Sequence, residues 1–309
     1  MNPAIREICA KLRFDATETA MFSRELEHVQ KTQYEVLYPE LRGRYLVPMG
    51  DDQAPETAET GKYEMWDAFG MARVISHWAQ DLPRVGVSAK EFFYAFKTLG
   101  ESYGYTYHEA KVSAATGKGR PQLKARAARE IMERTIDEII FKGMQEFGTF
   151  GLVNNPNVPI VSLPTGTWSS ATAQQILDDL NYLAQIVFTQ SKGTMIADTL
   201  VVDSTTWTYL QRTIGADFST TIMRAFLANN PYIRNVEQSF KFDTAGADGG
   251  PRIMVYKRDQ RVFDLQIPLD YAELPPEVRG LAITIACYSR VGGVVCRYPL
   301  GAAYCDNAG

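Results

Sequence analysis

Apolar and small residues recur in steps of three and four along 120–148: Ala128, Ile131, Met132, Thr135, Ile136, Ile139, Ile140, Gly143, Met144 and Phe147. That spacing keeps them on one face of an α-helix. The intervening positions are charged, and four i,i+4 pairs are expected: Arg126–Glu130, Arg129–Glu133, Arg134–Glu138 and Glu138–Lys142. Pro121 suits a first turn and Gly148 an exit. At about 1.5 Å per residue the helix would run roughly 40 Å. Ile131, Ile136, Ile139, Ile140 and Phe147 are its expected core contacts.

Before the helix the pattern changes. Residues 62–75 and 88–107 read as two extended segments on either side of Asp81-Leu82-Pro83, with 73–79 alternatively a short helix. Tyr63, Met65, Asp67 and Phe69 share one parity, as do Phe92, Tyr94 and Phe96. A two-stranded ribbon of this length is marginal alone in water and exposes two edges. Its aromatic residues, Tyr63, Trp66, Phe69, Trp78, Phe92, Phe93, Tyr94 and Phe96, form a ligand groove, an intersubunit contact, which favours aromatic anchors, or an ordinary internal core. The intersubunit reading, carried by Tyr63, Trp66, Phe69, Phe92, Tyr94 and Phe96, needs fewer assumptions.

The remainder alternates. Residues 1–50 begin with a helix signal through Phe22, Leu26, Val29 and Gln33, then break at Pro39, Gly43 and Pro48. Residues 108–119 predict a short helix and a Gly-Lys-Gly turn. After the long helix come a strand at 158–163 and a helix over 168–190 capped by Ser169 or Ser170. A strand at 198–202 leads to helices capped by Asp203 or Ser204 and by Ser219, and strands follow at 233–240, 252–257 and 261–267. This predicts a compact α/β lobe. Beyond it, 281–288 alternates into Gly292-Gly293, a bend or bulge.

Composition narrows the function classes. With 309 residues, 45% hydrophobic and a net charge of −4, the chain has no basic footprint of a dedicated nucleic-acid binder. No apolar run reaches the ~18 residues of a membrane span, and the N-terminal stretch lacks a secretory signal pattern. Cys287, Cys296 and Cys305 repeat every nine residues, alternating faces if on one strand, and Cys9 stands alone. No CxxC pair occurs, so reduced buried thiols are expected and no metal site. ATGKG at 115–119 fails the phosphate-loop pattern at both ends, at Val112 and Gly119. Gly-x-Ser-x-Gly and His-Glu-x-x-His are absent. His108-Glu109 reads as surface or capping, and Asp178-Asp179 as a solvated helix face. No catalytic residue, cofactor or metal ligand is assigned.

The order of elements carries a resemblance. Its most specific pieces are Ile140-Phe-Lys-Gly143, Gly148-x-x-Gly-Leu-x-Asn-x-Pro156, Arg290-Val-Gly-Gly-Val-Val-Cys-Arg-Tyr-Pro299 and the run 66–85 ending in Asp-Leu-Pro-Arg-Val. Over nearly its whole length the chain resembles the major capsid proteins of tailed bacteriophages, with the α+β Hong Kong 97-type fold that encapsulin shells share. The resemblance implies an N-arm (1–50), an extended E-loop (51–105) and a P-domain (106–160) with its spine helix at 120–148. It further implies an A-domain (161–261) and return strands to the P-domain (262–309). It implies a homo-oligomer of pentamers and hexamers in a closed icosahedral virion shell, assembled in the host cytoplasm around double-stranded DNA without sequence-specific binding. Portal, scaffolding and decoration proteins are implied partners, with no membrane. The helix signal near the start leaves little room for a removable scaffolding segment, and no Lys–Asn crosslink is expected. An encapsulin-type cargo shell and a soluble α/β enzyme or ligand-binding protein are the alternatives.

Overall fold

The computed structural model describes residues 38–74, 83–117, 119–214 and 220–306. Leu41–Gly309 forms one compact unit, and Met1–Glu40 is a second, of which only 38–40 are described. The helix expected at 22–33, together with Trp78, Ser219, Cys9, His28 and His77, lies outside the described residues.

The large unit opens with α1 (Gly43–Leu46), β1 (Thr60–Phe69), β2 (Gly86–Ala95) and β3 (Lys97–Thr106). Next come α2 (Tyr107–Thr116), α3 (Arg120–Lys142), β4 (Ile160–Val161), α4 (Ala173–Gln190), β5 (Thr199–Val202) and α5 (Ser204–Leu210). The two-residue strands β6 (Thr213–Ile214) and β7 (Thr220–Thr221) lead to α6 (Ile222–Asn229), β8 (Asn235–Gln238) and β9 (Arg252–Tyr256). The last strands are β10 (Phe263–Gln266), β11 (Leu269–Glu273), β12 (Glu277–Arg279), β13 (Ala282–Val291), β14 (Gly293–Cys296) and β15 (Ala302–Asp306).

The long helix α3 ends at Lys142, short of the expected 148, because the chain turns back on its own end. Gly143 adopts φ +71°, and the returning segment supplies donors to carbonyls the helix leaves unpaired. Leu152 N–H donates to Ile140 O (2.9 Å), Val153 N–H to Phe141 O (3.1 Å) and Asn154 Nδ2 to Lys142 O (2.7 Å). The approach is so close that a Cβ on Gly151 would lie 2.1 Å from Phe141 O. The Gly-x-x-Gly-Leu-x-Asn passage is therefore a side-chain and backbone cap for α3.

Ile136, Ile139 and Ile140 are buried with Met132 against Leu46, Val47, Leu265, Val291 and Val294. Two expected core contacts lie elsewhere. Ile131 is 53% exposed, since it sits about 100° round the helix from Met132. Phe147 is 50% exposed in a separate 3-10 turn beyond the helix. On the charged face Lys142 pairs with Glu138 (3.0 Å) as expected, Arg134 pairs with Glu130, and Glu133 takes Arg44 (3.2 Å). Asp137 is buried, accepting the Gly43 N–H at 2.8 Å and so tying α1 to α3.

A five-stranded sheet in the order β4-β15-β9-β5-β8 separates two cores. Period-two alternation divides its side chains. Val201, Met254, Tyr256, Ala302 and Tyr304 join the α3 core, whereas Leu200, Val202, Ile253, Val255, Ala303 and Cys305 join the core beneath α4 and α6. A sheet buried on both faces reads as a continuous apolar run, as β5 and β9 do. β15 lies inside this sheet, paired to β9 and β4, and one face of it, through Ala302 and Tyr304, reaches the α3 core to which 262–309 was expected to return. β13 does run beside that helix, paired along its length with β3 and flanked by β11 and β12. The three cysteines thus occupy three strands, not alternating positions of one; all three are free, Cys287 and Cys305 buried and Cys296 half-buried.

Two polar anchors depart from the local pattern. Asp179 is buried, accepting from Trp168 Nε1 (2.8 Å) and Thr165 Oγ1 (2.9 Å), not solvated. Thr172 caps α4 in a reciprocal arrangement with Gln175, in place of Ser169 or Ser170. Elsewhere Asp203 caps α5, Thr221 caps α6, and Glu109 completes the capping box of α2 with Thr106.

Candidate assembly surface

β1 and β2 pair antiparallel over ten positions and form a sheet of their own. The extended stretch expected at 88–107 breaks at Phe96. Beyond it β3 leaves the ribbon and pairs with β13. Phe96 is 4% exposed, its N–H donates to Glu59 O (2.9 Å), and a Cβ on Gly292 would lie 2.7 Å from its ring. Arg290 holds the incoming strand, donating from Nη2 to Ala58 O at 2.7 Å. Phe96 is the pin at the ribbon's root.

Register sorts the other residues by face. Gly61↔Tyr94, Tyr63↔Phe92 and Phe69↔Gly86 share one face; Lys62↔Phe93, Trp66↔Ala89 and Ala68↔Val87 share the other. On the first face Tyr63 and Phe92 stack with centroids 5.0 Å apart. Aromatic rings cover a cross-strand glycine at each end: a Cβ at Gly61 would fall 2.2 Å from Tyr94, and one at Gly86 2.3 Å from Phe69. Tyr63, Phe92 and Tyr94 are half-buried, whereas Phe69 stays exposed at the far end. On the second face Trp66 and Phe93 are each 68% exposed, and Val87 is exposed beside them.

The six residues singled out from sequence therefore divide. Tyr63, Phe92, Tyr94 and Phe96 belong to the root; Trp66 and Phe69 project into solvent. Phe93, one of the ribbon aromatics though not of the six, is exposed as well, and so are Val85, Val87 and Met71, which the pattern passed over. Strand parity could have found Phe93 and Val87, since both fall on the Trp66 face once the register is known.

The root is loosely seated. A cavity of about 330 Å³ separates it from the body, lined by Tyr63, Phe92, Phe147, Phe150, Val294 and Cys296 among others. A second, of about 420 Å³, lies on the other side of Tyr63 and includes Asp52, Glu64, Asp264 and Arg297. Between them Tyr63 Oη donates to Cys296 O at 3.4 Å, a long hydrogen bond, and Arg297 lies 5.8 Å from its ring centroid. Asp264 is fully engaged, accepting from Gly50 N (2.9 Å), Gln266 Nε2 (2.7 Å) and Arg297 Nη2 (2.6 Å). Burial raises the Tyr63 hydroxyl above its ordinary pKa and pushes the Cys296 thiol up to about 12, so both stay protonated and neutral. That environment suits apolar contact and not proton transfer or nucleophilic attack.

On the exposed face, Lys62 bridges Glu64 (2.8 Å) and Glu91 (2.7 Å), carboxylates that sit directly opposite each other across the strands. The hydrogen bonds to Glu64 and Glu91 raise its pKa and hold the lysine charged. Among the described residues, no group of three or more His, Cys, Asp or Glu is placed to hold a metal ion, and no helix is long and apolar enough to cross a membrane.

The family described as Major capsid protein matches residues 70–307. No curated protein matches the chain. Among solved structures, the capsid of Myoviridae phage XM1 superposes with a TM-score of 0.79 at 17% identity, covering 92% of this chain and 97% of that one. A Mycobacterium phage Ogopogo chain gives 0.60 at 10% identity, with 92% and 98% covered. The capsid of a native GTA particle gives 0.63 at 10% identity, with 92% and 95% covered.

Proposed function

Because the chain belongs to the major capsid protein family, and so is a structural subunit of a phage capsid with the Hong Kong 97-type fold, we propose that it closes into an icosahedral shell of pentamers and hexamers. In this reading the shell encloses double-stranded DNA, and the β1–β2 ribbon is its principal adaptable contact. The observation that carries the ribbon's role is the division at Phe96. One strand-length of chain is locked into the body by β13, and the adjoining one stands free with Trp66, Phe69 and Phe93 in solvent. A subunit in a closed shell meets neighbours in slightly different settings, and a projecting ribbon over a loosely packed root adapts where a packed core does not. Exposed apolar area of this kind marks an interaction surface.

The ribbon with its flanks corresponds to an E-loop, α3 to the spine of a P-domain, and the sheet with α4 to α6 to an A-domain. β15 adds a strand to the A-domain sheet, so 262–309 serves both domains. Residues 1–50 are read as an N-arm. Portal, scaffolding and decoration proteins are partners in the same reading, and the chain carries out no catalysis. Family membership disfavours the cargo-shell alternative. Negative-stain microscopy of the purified protein is the test: closed shells, or pentamers and hexamers, are expected, and a uniform monomer at assembly concentrations would sink the proposal.

A further inference from the structure

Charge is unevenly spread along α3, and its first half runs against the usual rule for a helix. Residues 120–129 carry Arg120, Lys124, Arg126 and Arg129 and no acidic residue, in a chain whose formal net charge is −4. Cations near a helix N-terminus oppose the macrodipole, which favours carboxylates there. α2 follows that rule, with Glu109 in its first turn closing the capping box. α3 has no acidic residue in its first turn and no side-chain cap at Gly119. A local rule broken in this way, with no gain inside the fold, points to a function.

The chain does little to neutralise these charges itself. The carboxylates of α3 begin at Glu130, and Glu130, Glu133 and Glu138 already hold Arg134, Arg44 and Lys142. Lys124 is paired with Glu109 at 3.1 Å. Arg120 makes no ion pair among the described residues, and Arg129 lies over the Tyr271 ring, 5.8 Å from its centroid, a contact that leaves its charge in place. Arg120, Arg126 and Arg129 are all exposed. From Arg120 to Arg129 the helix rises about 13 Å, against one phosphate for about every 3.4 Å of a DNA strand, so three guanidinium groups can meet successive phosphates. Guanidinium suits phosphate, since its planar fork binds two oxygens at once. An acidic protein would seek apolar footing as well. Within 120–129 the one large apolar side chain is Leu123, 37% exposed, and Ile131 beyond it stands beside Glu130, which repels an acidic partner.

We propose that Arg120, Arg126 and Arg129, at the start of α3, bind the phosphate backbone of double-stranded DNA on the inner wall of the shell. The contact reads no sequence. One patch per subunit is weak alone, and its repetition over a closed wall gives avidity without tight binding at any one point. This rests on the assembly reading above and adds to it which surface faces the DNA.

The test uses the full chain, held below its assembly concentration, and a fluorescein-labelled 20-base-pair duplex read by anisotropy. For three phosphate contacts the affinity should fall roughly fortyfold between 50 and 200 mM salt. Arg120→Gln should lower the slope of log K against log salt by about 0.9, and Arg120→Gln with Arg129→Gln by about 1.8, with the same loss on duplexes of different sequence. Lys142→Gln, exposed at the far end of the same helix, should leave the slope unchanged. No binding at 50 mM salt, an unaltered slope in the double variant, or an equal loss in Lys142→Gln would overturn the inference. Labelled poly-L-glutamate that binds where the duplex does not, and is lost in the double variant, would assign the patch to an acidic protein and also overturn it. Gln122→Cys, exposed beside Arg120, should react with a bulky polyethylene-glycol maleimide in free subunits and be shielded in closed shells. Full reaction in closed shells would place the patch outside and overturn the inference while leaving the assembly reading intact. Failure to form shells would sink the assembly reading without changing the slopes.

Discussion

The helix α3 and the β1–β2 ribbon begin from the same problem and meet opposite ends. Each shows a clear periodic apolar pattern, and each is longer than its own residues can shelter. For α3 the solution is internal: Ile136 and Ile140 are fully buried beneath α1, β13 and β14, and the Leu152 and Val153 N–H groups with the Asn154 side chain pair the helix's last carbonyls. For the ribbon only the root is sheltered, and Trp66 and Phe93 stay two-thirds exposed. A hydrophobic pattern identifies which residues need burial. It does not say whose surface will supply it.

The contrast breaks most sharply at the helix. Ile136→Asp places an unpaired charge where nothing solvates it, a loss on the order of 4 kcal/mol or more. Urea denaturation should find the isolated subunit unfolded or nearly so, and a variant with an ordinary midpoint would refute the buried stripe. Phe96→Ala removes the pin between the two regions and should cost about 3 kcal/mol, as for a buried phenylalanine. If its cost is negligible, the ribbon root is held by something other than Phe96.

A finer contrast lies within the ribbon. Phe92→Ala loses the stack with Tyr63 and should destabilise the subunit by about 1 kcal/mol. Trp66→Ala should change subunit stability by no more than about 0.5 kcal/mol while impairing assembly. Equal losses of subunit stability at both positions would mean that the two faces are not divided as described.

The smallest effect expected is a slope with pH. Burial raises the Asp137 carboxyl above its ordinary pKa, opposed by the Gly43 N–H. The folded state therefore holds this proton more tightly than the unfolded chain. The stabilisation is complete below about pH 3.9 and is lost as pH climbs through the raised pKa. Asp137→Asn keeps an acceptor for Gly43 and should flatten that part of the stability curve; an unchanged slope would assign it to another group.

Local order determined a good deal on its own. Spacing in steps of three and four placed α3 and its buried isoleucines, because helical periodicity is written in consecutive residues. Capping chemistry located most helix starts to within a few residues, and short apolar runs marked the strands of the α/β lobe. The order of elements with the glycine-rich passages was enough to suggest the family. What tertiary structure alone decided was anything that depends on a distant partner. Asp137 and Asp179 look like solvated helix charges until Gly43 and Trp168 are brought against them. β15 enters the five-stranded sheet between β4 and β9, pairing with β9 about fifty residues away, and no local signal names that partner. The ribbon ends at Phe96 and not at 105 because β13 competes successfully for β3. Strand pairing and side-chain desolvation are settled between segments, so a sequence read in order shows the demand for burial before it shows where that demand is met.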